Sequence, residues 1–263
     1  MRTAPNPTEN GLQHADQPPS SPHHPADQSR NSPPHQLQQE QQRTNIYVRR
    51  QAVVEDLTTV FQDDNLVTSG VRVEVLGEDA VDENGVFRDV LTEFWGCVFG
   101  SAAFEGGDQA APHPDANTTP AMWKAIGNIL IVGYLQVGYL PVRFAVASLA
   151  WAMFGTVSEG TLLKSWLHSL DGVDRAMMKA VLHRGLEPDD REAVVDILDR
   201  FRITSLPSPR NIRNLCIRAA HLLFVESAAF PLLQMNIKRL RQTVPRLEDL
   251  LEIRRALKPD GQR

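Results

Sequence analysis

Cysteine is scarce in this chain: among 263 residues only Cys97 and Cys216 carry a thiol, and they form no C-x-x-C pair. That excludes a zinc ribbon or knuckle and a disulfide framework, and it suits a reducing compartment. No G-x-x-x-x-G-K-[ST] loop occurs and no G-x-G-x-x-G follows a strand, so nucleotide-driven chemistry is not expected. An excess of positive charge is missing too: the formal net charge is -5, which argues against a general nucleic-acid binder. The N-terminus lacks the basic, apolar, small-residue order of a secretory signal, and its acids speak against a transit peptide. The expected location is intracellular, cytoplasmic or nuclear.

Aromatic residues are absent from the first 44 positions, where Pro, Gln, Ser and His dominate, as in QPPSSPHHP at 17–25. Such a segment cannot bury enough apolar area to offset an ordering entropy of about 1–2 kcal/mol per residue, so residues 1–44 are expected to be a disordered tail. Four of the eight histidines, His14, His23, His24 and His35, fall there. Without fixed geometry or supporting hydrogen bonds they make no selective metal site, and no metal or other cofactor is expected.

The most informative stretch is VRVEVLGEDAVDENGVFRDVLTEFW at 71–95. Val71, Val73 and Val75 alternate with Arg72 and Glu74, the pattern of a strand with one buried face, and Gly77 closes it. Val86, Val90, Leu91, Phe94 and Trp95 then recur at helical spacing, with Arg88, Asp89 and Glu93 on the polar side. The turn between carries Glu78, Asp79, Asp82 and Glu83. A calcium loop with Gly85 at its sixth position would put Ala80 at the first and Leu91 at the twelfth, so both end ligands are missing. Nothing sets the separation a glycosidase acid pair needs. The plain reading is a solvated turn before a helix whose dipole stabilises each acid by roughly 0.3–1 kcal/mol. Asn84-Gly85 suits a backbone position of positive φ.

Residues 125–142 form an uncharged run of 18, long enough for a transmembrane candidate. Asn128 and Gln136 lie within it, Pro141 interrupts it and Arg143 divides it from the apolar FAVASLAWAMFG. The alternative is two helices buried against each other, with Gly127, Gly133 and Gly138 allowing close backbone approach. Further on, Leu162, Leu163, Trp166, Leu167 and Leu170 form one helical stripe. Ala176, Met177, Ala180, Val181 and Leu182 form a second that ends at Gly185, and Val194, Val195, Leu198 and Phe201 a third. TSLPSP at 204–209 is a connector and 211–224 a further helix. Leu247, Leu250, Leu251, Ile253 and Leu257 make a closing amphipathic helix after Pro245, with Glu248 and Asp249 early and Arg254, Arg255 and Lys258 late, as the helix dipole favours. The last 28 residues hold eight Lys or Arg against four acids, read here as an exposed helix face.

These residues resemble a known family, the N-terminal lobe of HECT-type ubiquitin ligases, and within it the divergent HECT-like proteins of fish. The resemblance rests on the run Gly77-Glu78-Asp79-Ala80-Val81-Asp82-Glu83-Asn84-Gly85-Val86-Phe87-Arg88-Asp89, on Ala103-Phe104-Glu105-Gly106, and on the helix starting near Met122-Trp123-Lys124-Ala125-Ile126-Gly127. The chain departs from the family's paired glycines at Asn84 and from its glutamate at Asp89. The resemblance covers about residues 46–240. It implies an α+β, mostly α, domain over 45–263 with a few short strands, closed by the helix in 241–263.

It also implies ubiquitin and a ubiquitin-conjugating enzyme as partners, docked within 156–201, with no nucleic acid and no membrane. The family's acceptor cysteine sits in a separate C-terminal lobe. Residues 241–263 are fewer than the roughly 50 that a small independently folding lobe requires. Cys97 and Cys216 are both expected in the core, although Arg218 and His221 lie near the latter in sequence. No catalytic residue is therefore expected in the chain. The implied function is the scaffold lobe of a ubiquitin-protein transferase; the alternatives are an inactive interaction module derived from one and, behind it, a membrane-associated helical protein.

Overall fold

The computed structural model describes residues 43–79 and 83–257, excluding the side chain of Glu83. Strands β1 (Thr44–Val48) and β2 (Val71–Val75) pair in parallel, with Ile46 opposite Val73 and Val48 opposite Val75. Parallel pairing needs a crossover, here a 3-10 turn (Arg50–Ala52), helix α1 (Val53–Val60) and the single turn α2 (Leu66–Ser69). Gly70, at φ 71°, turns the chain into β2. Val71, Val73 and Val75 are buried and Arg72 and Glu74 exposed, as the alternation predicts. Strand β1 begins at Thr44, the last residue of the segment expected to be disordered; positions 1–42, with their four histidines, lie outside the described residues.

Gly77, at φ 89°, ends β2, and helix α3 (Glu83–Phe99) follows. Asn84 and Gly85 lie inside that helix, so the positive φ expected of them is not what ends the turn. Helix α3 buries Phe87, Val90, Leu91, Phe94, Trp95, Val98 and Phe99. A short hairpin, β3 (Phe104–Glu105) with β4 (Ala111–Pro112), leads to the long helix α4 (Pro120–Val137). Thr119 caps α4 by accepting from the Met122 amide, and Pro120 occupies its first turn.

Helix α4 is buried from Ala125 through Gly133, which explains its lack of charge. Its main partners are α1, α3 and α10 (Ala229–Met235), whereas α5 (Val146–Phe154) packs chiefly on α6 (Glu159–Ser169) and on the 3-10 segment Ile237–Gln242. The two apolar helices are thus not packed chiefly against each other, although both touch α10 and the 3-10 segment. Close approach is needed at Gly127, whose missing Cβ would lie 2.0 Å from the carbonyl oxygen of Met235. Gly138 instead provides a left-handed C-cap at φ 62°. Gln136 reaches back to β2: its Oε1 accepts from the Val71 amide at 2.9 Å and its Nε2 donates to the Val71 carbonyl at 2.7 Å.

The remaining helices are α6, α7 (Gly172–Arg184), α8 (Arg191–Arg200), α9 (Ile212–His221) and α11 (Leu247–Ala256). Ser158 and Asp171 cap α6 and α7. On α7 the buried residues are Met178 and Val181, so the inward stripe is offset from the one predicted, and Ala176 and Ala180 are exposed. The helix expected over 211–224 changes pitch at its end: α9 gives way to a π-helical turn, Leu222–Glu226. The Phe224 carbonyl there accepts from Ser148 Oγ at 2.9 Å. Helix α11 is capped by Asp249, which accepts from the Arg246 amide at 3.1 Å.

The described residues are mostly helical with a few short strands, the α+β class expected. Their buried side chains form one core cluster, centred on Trp95, Phe99, Phe104, Trp123 and Phe144. No single helix among them is long and apolar enough to cross a membrane; the bent pair 212–226 and 229–235, at 42°, reaches that length and composition only jointly.

Candidate functional site

The acidic turn is held by an arginine from the other side of the parallel pair. Arg50 Nε and Nη2 donate to the two carboxylate oxygens of Glu78 at 2.9 and 3.0 Å. Its Nη1 lies 2.7 Å from Asp89 and 3.0 Å from Glu93, which are one turn apart on α3. Hydrogen bonds from this fork hold the Glu78 carboxyl below the usual carboxylate range, and the three acids raise the guanidinium further above its own. A carboxylate kept ionised in this way has no proton to deliver near neutral pH. The cluster therefore works as a clasp between β1, the turn and α3. Asp82 and the side chain of Glu83 lie outside the described residues. Among those described, no three His, Cys, Asp or Glu side chains are grouped to hold a metal ion. The sequence shows Arg49-Arg50 directly after a strand but not which acids Arg50 meets; Arg49 turns instead to Asp56.

The two thiols differ from expectation and from each other. Cys216, on α9, is buried as expected, and desolvation pushes its thiol up to about 12, outweighing the small opposite effect of Arg213. His221 offers it no activation: the imidazole is exposed and its Nδ1 lies 2.9 Å from Glu226. Cys97 is exposed, contrary to the core position expected of it. It continues the stripe Asp89-Glu93-Cys97 at four-residue intervals, while Phe94, Trp95 and Val98 face inward. A thiol-labelling reagent at neutral pH is accordingly expected to modify Cys97 in the native protein within minutes and Cys216 only after denaturation, giving one equivalent and then two. Two fast equivalents under native conditions would contradict the burial of Cys216.

The Phe-Glu-Gly element forms a tight structural corner. Phe104 is buried in the aromatic cluster, and Gly106 adopts φ 119°, where an added Cβ would meet the Gln109 carbonyl oxygen at 2.4 Å. The region 156–201 contains α6, α7 and α8. Trp166 packs edge-on against Phe201 at 5.6 Å, and Arg200 pairs with Asp174. Against this ordered background Val173, in the first turn of α7, is 81 % exposed. An apolar side chain so placed is available for contact with another protein. Leu206, on the 204–209 connector, is likewise exposed.

The chain matches no protein-family model, and no curated protein matches it.

Proposed function

We propose that this chain is a HECT-like scaffold lobe that docks a ubiquitin-charged conjugating enzyme, with acyl transfer left to a thiol that its own residues do not supply. The observation that carries this reading is convergence: two of the segments that bear the resemblance meet in one aromatic cluster with the helix into which the third runs. Trp95 of α3 and Phe104 of β3 lie 6.2 Å apart, and Phe104 lies 5.9 Å from Trp123 of α4. The thiols support the non-catalytic half. Cys216 is too buried to ionise at neutral pH, and Cys97 lies on the exposed face of α3.

A second reading, an interaction module that keeps the fold and has lost the chemistry, draws on the same buried thiol. The two separate on whether a conjugating enzyme binds. The immobilised chain is expected to retain at least one ubiquitin-loaded enzyme from a panel, and Val173→Asp to weaken that binding by tenfold or more, about 1.4 kcal/mol, with unchanged circular dichroism. No ubiquitin adduct reducible by dithiothreitol is expected. Failure of the whole panel to bind ends the scaffold reading, and an adduct lost in Cys97→Ala or Cys216→Ala ends the claim that these thiols are silent.

A further inference from the structure

A cavity of about 320 Å³ lies where α5, α6 and α11 meet. Its wall includes Arg254 and Arg255 of α11, Lys164 and His168 of α6, and Ser158 and Thr161 at the α6 N-terminus, with Val146 and Leu251 supplying apolar surface. No carboxylate is among its lining residues. The sequence pattern made Arg254 part of an exposed basic face, yet it is only 4 % exposed. Two of its donors go to the carbonyl oxygens of Pro141 (2.6 Å) and Val142. No acidic side chain pairs with it among the described residues. Burial pulls its pKa down to about 10, so it is still protonated at neutral pH. Lys164 and Arg255 also have no ion-pair partner among the described residues, and both are exposed at the cavity.

A buried guanidinium satisfied only by carbonyl dipoles carries a desolvation cost that an anion beside it would offset. The charge of the cavity favours a phosphate over a carboxylate, and two further features suit an anion. The formal charge of Arg254, Arg255 and Lys164 matches a group that carries about -1.5 to -2 at pH 7 better than one carrying a single charge. The amino end of the 11-residue helix α6, rich in hydroxyls, adds the positive end of a dipole. The neighbouring polar groups are already engaged and shape the wall without competing: Gln109 Oε1 accepts from the Val146 amide at 2.8 Å, and Ser165 Oγ from the Ala147 amide at 3.2 Å.

We infer that this cavity is a binding site for a small phosphomonoester, its phosphate held by Arg254, Arg255 and Lys164 against the α6 N-terminus and its organic part lying on Val146 and Leu251. The site shares α6 with the region expected to dock a conjugating enzyme, but phosphate binding is read directly and without that enzyme, so either proposal can fail alone.

The full chain, at constant ionic strength, is titrated calorimetrically with glycerol phosphate, inorganic phosphate and acetate. Glycerol phosphate is expected to bind saturably with a dissociation constant of about 1 mM or lower, and acetate at least about tenfold more weakly. Lys164→Ala and Arg255→Ala, at exposed positions, should each weaken glycerol phosphate about fivefold or more, while Lys238→Ala, exposed and not among the cavity's lining residues, should not. Arg254→Lys tests the buried fork and is expected to weaken binding at least as much, with the fold checked by circular dichroism. Absence of saturable binding overturns the site, as does equal loss in Lys238→Ala. Acetate binding as tightly as glycerol phosphate overturns the phosphate assignment, and inorganic phosphate binding more tightly than glycerol phosphate overturns the seat on Val146 and Leu251.

Discussion

Gly127→Ala is expected to cost the folded state more than about 3 kcal/mol, a large share of the 5–15 kcal/mol that holds a typical domain together. The reason is geometric. The new methyl would stand 2.0 Å from the Met235 carbonyl oxygen and 2.6 Å from both its carbonyl carbon and its Cα. These are backbone atoms at the end of α10, so no side-chain rotation relieves the overlap; the whole of α10 would have to move off α4. That separation would also strip cover from Ile126, Leu130 and Leu232, all buried. Urea denaturation followed by tryptophan fluorescence reads the effect as a shift of midpoint. A change below about 0.5 kcal/mol, the usual size at a surface position, would mean that α4 and α10 are not in contact at this point.

Phe104→Ala is expected to cost a further class of energy, about 3–5 kcal/mol. Phe104 touches four other rings: Phe99 at 5.0 Å, Phe144 at 5.4 Å, Trp123 at 5.9 Å and Trp95 at 6.2 Å, mostly edge to face. Removing the ring leaves a hole between three elements that are fixed elsewhere and so collapse only in part. The indole N–H groups of Trp95 and Trp123 have no hydrogen-bond partner among the described residues, so packing alone orients those rings. Near-ultraviolet circular dichroism should therefore lose intensity along with the drop in denaturation midpoint. Phe104→Leu, which fills most of the volume, should recover more than half of the loss. Equal destabilisation by Leu and Ala would show that ring geometry, not volume, dominates.

What the sequence disclosed were local patterns. The valine alternation of β2 and the stripes of α3, α6 and α8 are legible because period and burial are set within a few residues. The apolar length of α4 was also visible, but not its partners: one uncharged helix and the next apolar one could be read as mates, while in the fold their main contacts are with other segments. Arg254 shows the limit best. A basic residue in the last turn of a helix is the ordinary choice for an exposed face, and only the carbonyls of Pro141 and Val142, more than a hundred positions earlier, make it a buried one. Cys97 erred in the opposite sense, because apolar neighbours in sequence suggested burial while its place around the helix axis put it outside. For the clasp, Arg50 and its three carboxylates are separated by 28 to 43 positions, beyond any window in which charge pairing can be read.

The amide of Gln136 occupies, at one rung of β2, the place a neighbouring chain would take, filling both the donor and the acceptor of Val71. A two-stranded parallel ribbon otherwise offers an open margin along which other polypeptides can add and from which aggregates can grow. Here that margin is stoppered at its beginning by a side chain anchored on a buried helix. Polymerisation through this border would first have to dislodge α4.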